Sequence, residues 1–436
     1  MARPIDPNDP VFLRGLTQRR LGRRDFLRGA GVGAGTLSLA AILAACSSDS
    51  SSTTPASGSA AAGTFDGDPA GEMNMANWAL YIDKAKDPQT GEVTHPSLDK
   101  FTADTGIKVN YREVIDSPET FFGKLQPVLA AGQDTGWDIM VITNGRVFDT
   151  MNRLGYFQEL PGPERFPNFQ ANAGPAVKGP SYDPENKYSI AYQSGITGIG
   201  WDPVLVAQLR PDNPTITSIQ DLYDPAFAGK VGMFGDTLDM PSLALLGIGV
   251  APEDSTPADW QAAADVITKA RDDGIVRQFF AGSGYINSLA HGDVAVAMAW
   301  SGDIFQSNLS GDSNGLQFTI PTEGGAIWTD NMTIPPLAQH PVDAVTYMDY
   351  IYQPEVMAMM VEWINYVSPV PAAQQVILAD AAKATDPADK TYLENVANSP
   401  LVFPTPQDAE HLYNYRTLTQ EEDQQWLDIW QPISQS

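Results

Sequence analysis

The chain is poor in the residues that most enzyme chemistry needs. One cysteine, Cys46, stands among 436 residues, so no disulfide can form within the chain. Only four histidines occur, His95, His291, His340 and His411. None sits in a His-Glu-x-x-His run or at metal-ligand spacing with a cysteine. No phosphate loop ending in Gly-Lys-Ser/Thr is present, since Lys230 follows Gly229 without the earlier glycine. Nothing here asks for an enzyme, a metal or a cofactor. Basic residues are scarce too, 26 Lys and Arg against 53 Asp and Glu. Nucleic acid, which needs a basic face, is a poor partner for such a chain. Beyond the N-terminal segment, no apolar run is long enough to span a membrane.

The N-terminus carries what the rest lacks. Residues 19–46 read RRLGRRDFLRGAGVGAGTLSLAAILAAC: a basic region, a Gly/Ala-softened apolar stretch, then small residues. That is the layout of an export signal. The paired Arg23 and Arg24 in RRDFLRG look like a twin-arginine signal, with the general secretory route as the alternative. Leu43-Ala44-Ala45-Cys46 resembles the bacterial lipobox, in which the cysteine becomes the lipidated first residue. The expectation is a signal peptide over 1–45 and a lipid anchor on Cys46. It places the mature chain at the extracytoplasmic face of the cell membrane or in the periplasm. Residues 47–63, SSDSSSTTPASGSAAAG, are a low-complexity tether that cannot bury enough apolar surface to order itself. The linker as a whole is read over 46–70. Removing 1–45 leaves 19 basic and 50 acidic residues, a net charge of −31. Such acidity would steer a cationic ligand inward, and would serve solubility equally well.

The length favours two lobes over one core. Strand-like and helix-like segments alternate along the mature chain, which argues for α/β layers. Strands are expected at 73–78, 107–111, 138–142 and 294–300, and helices at about 96–105, 257–273, 285–291, 341–352 and 354–364. Ser117-Pro118-Glu119 opens another helix well, with a capping hydroxyl, a first-turn proline and an acid at the positive dipole end. A further helix is expected around 148–154. Two stretches look like crossovers between lobes: the Gly-rich 194–201 and the segment 324–335, GGAIWTDNMTIP. In the second, Trp328 and Asp330 lie two apart and share a strand face. A ring beside a carboxylate makes a poor core face, because an unpaired buried charge is strongly disfavoured. Trp300-Ser301-Gly302-Asp303 repeats the association at the end of another strand, and Asp236 and Asp239 follow a strand-like Lys230–Phe234. Trp78 and Tyr81 stand at the end of the first strand, and Tyr366 closes the later helical pair. Trp201, Trp260 and Trp363 have no such neighbour and read as packing. An aspartate at 236 reads equally well as a turn cap.

In order and spacing, these blocks resemble the extracytoplasmic spermidine/putrescine-binding proteins of ABC importers. The resemblance runs from about residue 72 to residue 372. NWALYID (77–83), FTADTGIKVNY (101–111), YSIAYQSGITGIGWDP (188–203), YINSLAHGDVAVAMAWSGD (285–303), GGAIWTDNMTIP (324–335) and INYVSPVP (364–371) carry it. It implies a type II-like periplasmic-binding-protein fold of two α/β lobes joined by crossing strands, with the ligand enclosed between them. The first lobe is expected over 71–193 plus about 331–372, the second over 194–330 plus about 373–436. Matched residue by residue, it implies ligand contacts from Trp78, Tyr81, Thr143, Asp236, Asp239, Trp300, Asp303, Trp328, Asp330 and Tyr366. The family usually has an acid between the aromatics of its first block; here Ala79-Leu80 stand there. Residues 400–436 show no match to its late polar contact. A monomer that hands a polyamine to ABC permease subunits is the expected role, with no cofactor and no covalent chemistry. Two other readings stand beside it: a binding protein for another small organic cation or amino-acid-like solute, and a surface lipoprotein hydrolase.

The chemistry suits a polyamine independently of the resemblance. Ammonium groups want carboxylates, whose charge-assisted hydrogen bonds contribute about 1.5–3 kcal/mol each. Methylene spacers want flat apolar walls, and a ring face also attracts the cation.

Overall fold

The computed structural model describes residues 63–434, apart from 87–89, 116 and 310–314. The signal peptide, Cys46 and most of the tether lie outside the described residues. One mixed sheet of ten strands runs through the molecule. Its strands, in chain order, are β1 (Glu72–Trp78), β2 (Lys108–Ile115), β3 (Ile139–Thr143), β4 (Ser189–Trp201), β5 (Val231–Phe234), β6 (Val276–Phe280), β7 (Val296–Trp300), β8 (Gln317–Thr319), β9 (Gly325–Thr333) and β10 (Leu412–Asn414).

The spatial order is β2-β1-β3-β9-β4-β7-β5-β6, with β8 on β4 and β10 on β9. On one side β1 pairs in parallel with β2 and β3, and on the other β5 pairs in parallel with β6 and β7. The two parallel sets meet only through β4 and β9, which lie antiparallel to each other. These are the two stretches that the sequence marks as crossovers. Helices cover each set, as parallel strands require. Their starts follow local chemistry: the Ser117 hydroxyl accepts the Thr120 amide at 3.1 Å, and Thr256 and Asp259 close a capping box on helix 257–272.

Two lobes result, each with its own core. Met73, Phe101, Ile139, Tyr347, Met348 and Val361 belong to the first. Phe234, Leu243, Trp260, Ile267, Val296 and Trp430 belong to the second. The packing divides the C-terminal stretch that the sequence reading assigns to the second lobe. Helices 373–383 and 387–398 put Ala373, Ile377, Ala381, Leu393, Val396 and Ala397 into the first core, because the first packs on helix 354–364 and the second on the first. Only after β10 docks in parallel on β9 does the chain reach the second lobe, where Trp426 packs edge-on against Trp260 at 5.1 Å.

The lobes touch around the crossing strands. Arg146 on the first-lobe helix 146–153 pairs with Asp423 at 3.3 Å, and Arg153 donates to the Leu418 carbonyl at 3.2 Å. Gly145 lies against Leu238 and Tyr415, so close that a Cβ there would come within 3.1 and 3.2 Å of them.

Candidate functional site

The site grows from the carboxyl ends of the parallel strands and the facing side of the crossovers, the usual ligand position in open α/β sheets. Trp328 and Asp330 sit on β9, opposite Gly195 and Gln193 of β4. Because directly opposed residues share a face, the missing side chain at Gly195 leaves the space that the Trp328 indole occupies. A Cβ on Gly195 would stand 2.2 Å from it. The indole is fixed by a hydrogen bond from Nε1 to the Thr197 hydroxyl at 3.1 Å.

A continuous row of rings follows. Tyr81 meets Tyr366 at 5.8 Å, Tyr366 meets Trp328 at 5.5 Å, and Trp328 meets Trp300 edge-on at 6.2 Å. Trp300 stacks on Phe234 of β5 at 4.9 Å. The row therefore passes from first-lobe to second-lobe residues without a break. Gly302 is its second small-residue device, since a Cβ there would strike the Tyr366 ring at 2.6 Å.

Three buried carboxylates border the row. Asp330 accepts the Thr143 hydroxyl at 2.6 Å, and the Tyr81 hydroxyl lies beside it without an aligned partner of its own. Asp303 accepts the hydroxyls of Tyr285 at 3.0 Å and Tyr366 at 3.1 Å. Asp239 accepts three donors: Tyr415 at 2.6 Å, Trp300 Nε1 at 3.0 Å, and the Thr197 hydroxyl. Burial pushes the Asp330 carboxyl up to about 6, against the lowering pull of the Thr143 and Tyr81 hydroxyls. Burial also raises Asp239, although its three donors oppose the shift. Among the described residues, no Lys, Arg or His forms an ion pair with Asp236, Asp239, Asp303 or Asp330. Asp239, Asp303 and Asp330 are thus buried carboxylates with no cation beside them among the described residues.

The structure thus brings seven of the ten sequence-selected residues, Tyr81, Asp239, Trp300, Asp303, Trp328, Asp330 and Tyr366, into one contiguous cluster. Thr143 joins it as the donor that holds Asp330. Asp236 is placed differently: its Oδ1 takes the amides of Leu238 at 2.8 Å and Asp239 at 2.7 Å, so it caps helix 239–247. Burial and the neighbouring Asp239 charge raise its carboxyl to about 7. Trp78 is half-buried and donates to the Val141 carbonyl at 3.1 Å; its indole makes no ring contact with the row among the described residues. Leu80, between Trp78 and Tyr81, adopts φ 58°, and its amide donates to Glu113 at 3.2 Å. Sequence reasoning missed Thr197, Gln193, Tyr285 and Tyr415. Thr197 and Gln193 alternate with Gly195 on a strand whose facing partner was already singled out, and that alternation was the available signal. Tyr285 and Tyr415 reach the acids from separate elements, and no short pattern marks them.

Two lobes joined by crossing strands, with a row of rings between them and buried acids that no cation among the described residues pairs, define a protein built to enclose a small solute. The chain belongs to the family described as bacterial extracellular solute-binding protein, whose model matches residues 97–391. It is thus one of an exported, solute-binding family rather than a family of enzymes. It is 27% identical to the putrescine-binding periplasmic protein SpuD of Pseudomonas aeruginosa over 371 residues, 83% of this chain and 91% of that one. Against the putrescine-binding periplasmic protein PotF of Escherichia coli it is 30% identical over 320 residues, 71% of this chain and 80% of that one. The spermidine/putrescine ABC transporter substrate-binding protein PotD of Streptococcus pneumoniae shares the fold, with a TM-score of 0.65 at 21% identity, covering 84% of this chain and 98% of that one.

Proposed function

We propose that this chain binds a polyamine between its lobes and delivers it to an ABC importer. One observation carries the reading: Asp330, Asp303 and Asp239 are buried with no cation paired to them among the described residues, along the row of rings from Tyr81 to Trp300. A buried carboxylate is tolerable only when a cation or strong donors satisfy it, and a ligand with spaced ammoniums would supply the cations. Tyr81, Tyr366, Trp328 and Trp300 would flank the methylenes and add cation–π attraction. The names of SpuD and PotF support the same ligand class. Contacts from both lobes favour capture by closure, with the closed form presented to the permease.

Titration calorimetry on the mature chain tests this, with putrescine, spermidine and spermine set against glycine betaine and the basic amino acids. Micromolar or tighter binding of a polyamine is expected. Binding of another solute with no response to any polyamine would overturn it. The lipobox-like LAAC supports a lipid anchor on Cys46, by which the exported chain would be held at the membrane. Membrane fractionation of Cys46→Ser cells is expected to find the chain released to the soluble fraction.

A further inference from the structure

We propose that Gln193 completes a three-acceptor seat with Asp330 and Tyr81, so that this end of the site takes a primary ammonium and rejects a fully alkylated one. The inference rests on the polyamine reading and narrows it. Gln193 and Asp330 face each other directly across β4 and β9. Their Cβ atoms are therefore about 4.5–5.5 Å apart on the same face. Gln193 is wholly buried, with 0% of its surface exposed. Its Nε2 donates to the Met357 sulfur at 3.1 Å. A thioether accepts hydrogen bonds and cannot donate them, which fixes the amide with its nitrogen toward Met357 and its oxygen away. That oxygen, Oε1, has no partner. The Tyr81 hydroxyl lies beside Asp330 without an aligned bond, and among the described residues no donor reaches its oxygen.

Buried polar atoms are nearly always paired, and each unpaired one costs free energy comparable to a lost hydrogen bond. Two such atoms next to an uncompensated carboxylate form a set with one need in common: a donor-rich cation. A primary ammonium carries three N–H groups in a tetrahedral fan. The Asp330 carboxylate takes the charge, the Gln193 carbonyl takes a second proton, and the Tyr81 oxygen takes the third while its own hydrogen turns to Asp330. A quaternary ammonium has the same charge and no N–H, so it would leave Gln193 and Tyr81 unpaired. At the Asp239 end the acceptor is already engaged by three internal donors, and among the described residues no comparable set of empty acceptors surrounds it.

The test compares putrescine with its hexamethylated diquaternary analogue in wild type and in Gln193→Met, which keeps the length and removes the carbonyl. Wild type is expected to prefer putrescine by about a hundredfold. In Q193M, putrescine should weaken about tenfold while the diquaternary compound binds as before. Equal losses for both ligands, or no loss for either, would overturn the seat. A wild-type chain that binds no polyamine would instead remove the functional reading on which it rests. A crystal structure of wild type with putrescine decides the matter without any variant. An amine nitrogen within about 3 Å of Gln193 Oε1 supports the seat, and an amine beyond hydrogen-bond reach sinks it.

Discussion

Asp330 and Asp239 stand at opposite ends of one aromatic row, and the fold treats them differently. Asp239 accepts a tyrosine, an indole and a threonine donor, so its oxygens are nearly saturated from within the protein. Asp330 accepts the Thr143 hydroxyl, lies beside a Tyr81 hydroxyl with no aligned bond, and faces a carbonyl that has nothing to accept. Both are buried to about the same degree, 4% and 5% exposed. The contrast lies in hydrogen bonding, not in solvent. A saturated carboxylate holds its own surroundings in place, whereas an unsaturated one waits for a partner. The Asp239 end should therefore contribute more to the architecture of the ligand-free protein, and the Asp330 end more to affinity.

Neutralising each acid in turn breaks or keeps that distinction. Asp330→Asn should weaken putrescine by about a hundredfold, since a charge-assisted contact of about 1.5–3 kcal/mol and its Coulomb attraction are both lost. The ligand-free variant should unfold at the wild-type temperature or above it, because burying an amide costs less than burying an unpaired anion. Asp239→Asn should do the reverse. Its new NH2 must face at least one of three donors, leaving a buried donor unpaired at about 1–3 kcal/mol. Thermal unfolding should show that loss, with an affinity change below tenfold. If Asp330→Asn lowers stability and spares affinity, the two ends have been assigned the wrong way round.

A pH titration asks the same question without mutation. Burial places the Asp330 carboxyl at about 6 in the ligand-free protein. The cation binds the anion, so affinity should fall as pH drops through about 6, by roughly tenfold for each further unit. The sign for stability is opposite. The folded pKa lies above the ordinary value of 3.8, so the folded state holds the extra proton between the two. The ligand-free chain should therefore gain stability from this group as pH falls from above 6 toward 4, and lose it again on the way up. Calorimetry and thermal melts over pH 4–8 check both slopes; parallel slopes would contradict an uncompensated Asp330.

The middle of the row depends on what is absent. Gly195→Ala places a Cβ 2.2 Å from the Trp328 indole. The ring must swing away from Tyr366 and Thr197, and affinity should fall about tenfold while Asp330 itself is untouched. Indole fluorescence should shift in the same variant, and an unchanged spectrum with unchanged affinity would remove Trp328 from the wall.

Much of this site was legible because β-strand geometry is simple. Trp328 and Asp330 two apart on a strand must share a face, and the order of blocks gave the two crossovers their places in the sheet. What was not legible depended on pairing across the sheet or between lobes. Gln193 lies in an apolar strand, and only its position opposite Asp330 gives it meaning. Asp236 reads equally well in the sequence as a site acid and as a turn cap, and only its position before helix 239–247 shows that it satisfies the helix's free amides. Residues 373–398 carry no mark of lobe membership in their composition. Their placement follows from which core is next to the end of helix 354–364.

Tyr415 offers the smallest and most discriminating change. It lies in the C-terminal stretch where the sequence shows no match to the family's late polar contact, yet its hydroxyl donates to Asp239 at 2.6 Å while its ring rests on Gly145. Tyr415→Phe removes the donor and keeps the ring. Asp239 would still hold Trp300 and Thr197, so the cost should be near the 1 kcal/mol typical of one hydrogen bond. The loss should appear as a slightly lower melting temperature and at most a few-fold weaker binding. The pH profile carries the finer test. The Tyr415 donor helps to hold the Asp239 carboxyl down against burial, so its removal should move the Asp239-linked step in the pH dependence of thermal stability to higher pH. A profile that stays where it was would mean that Tyr415 acts only through packing, and that Asp239 is held by its other two donors alone.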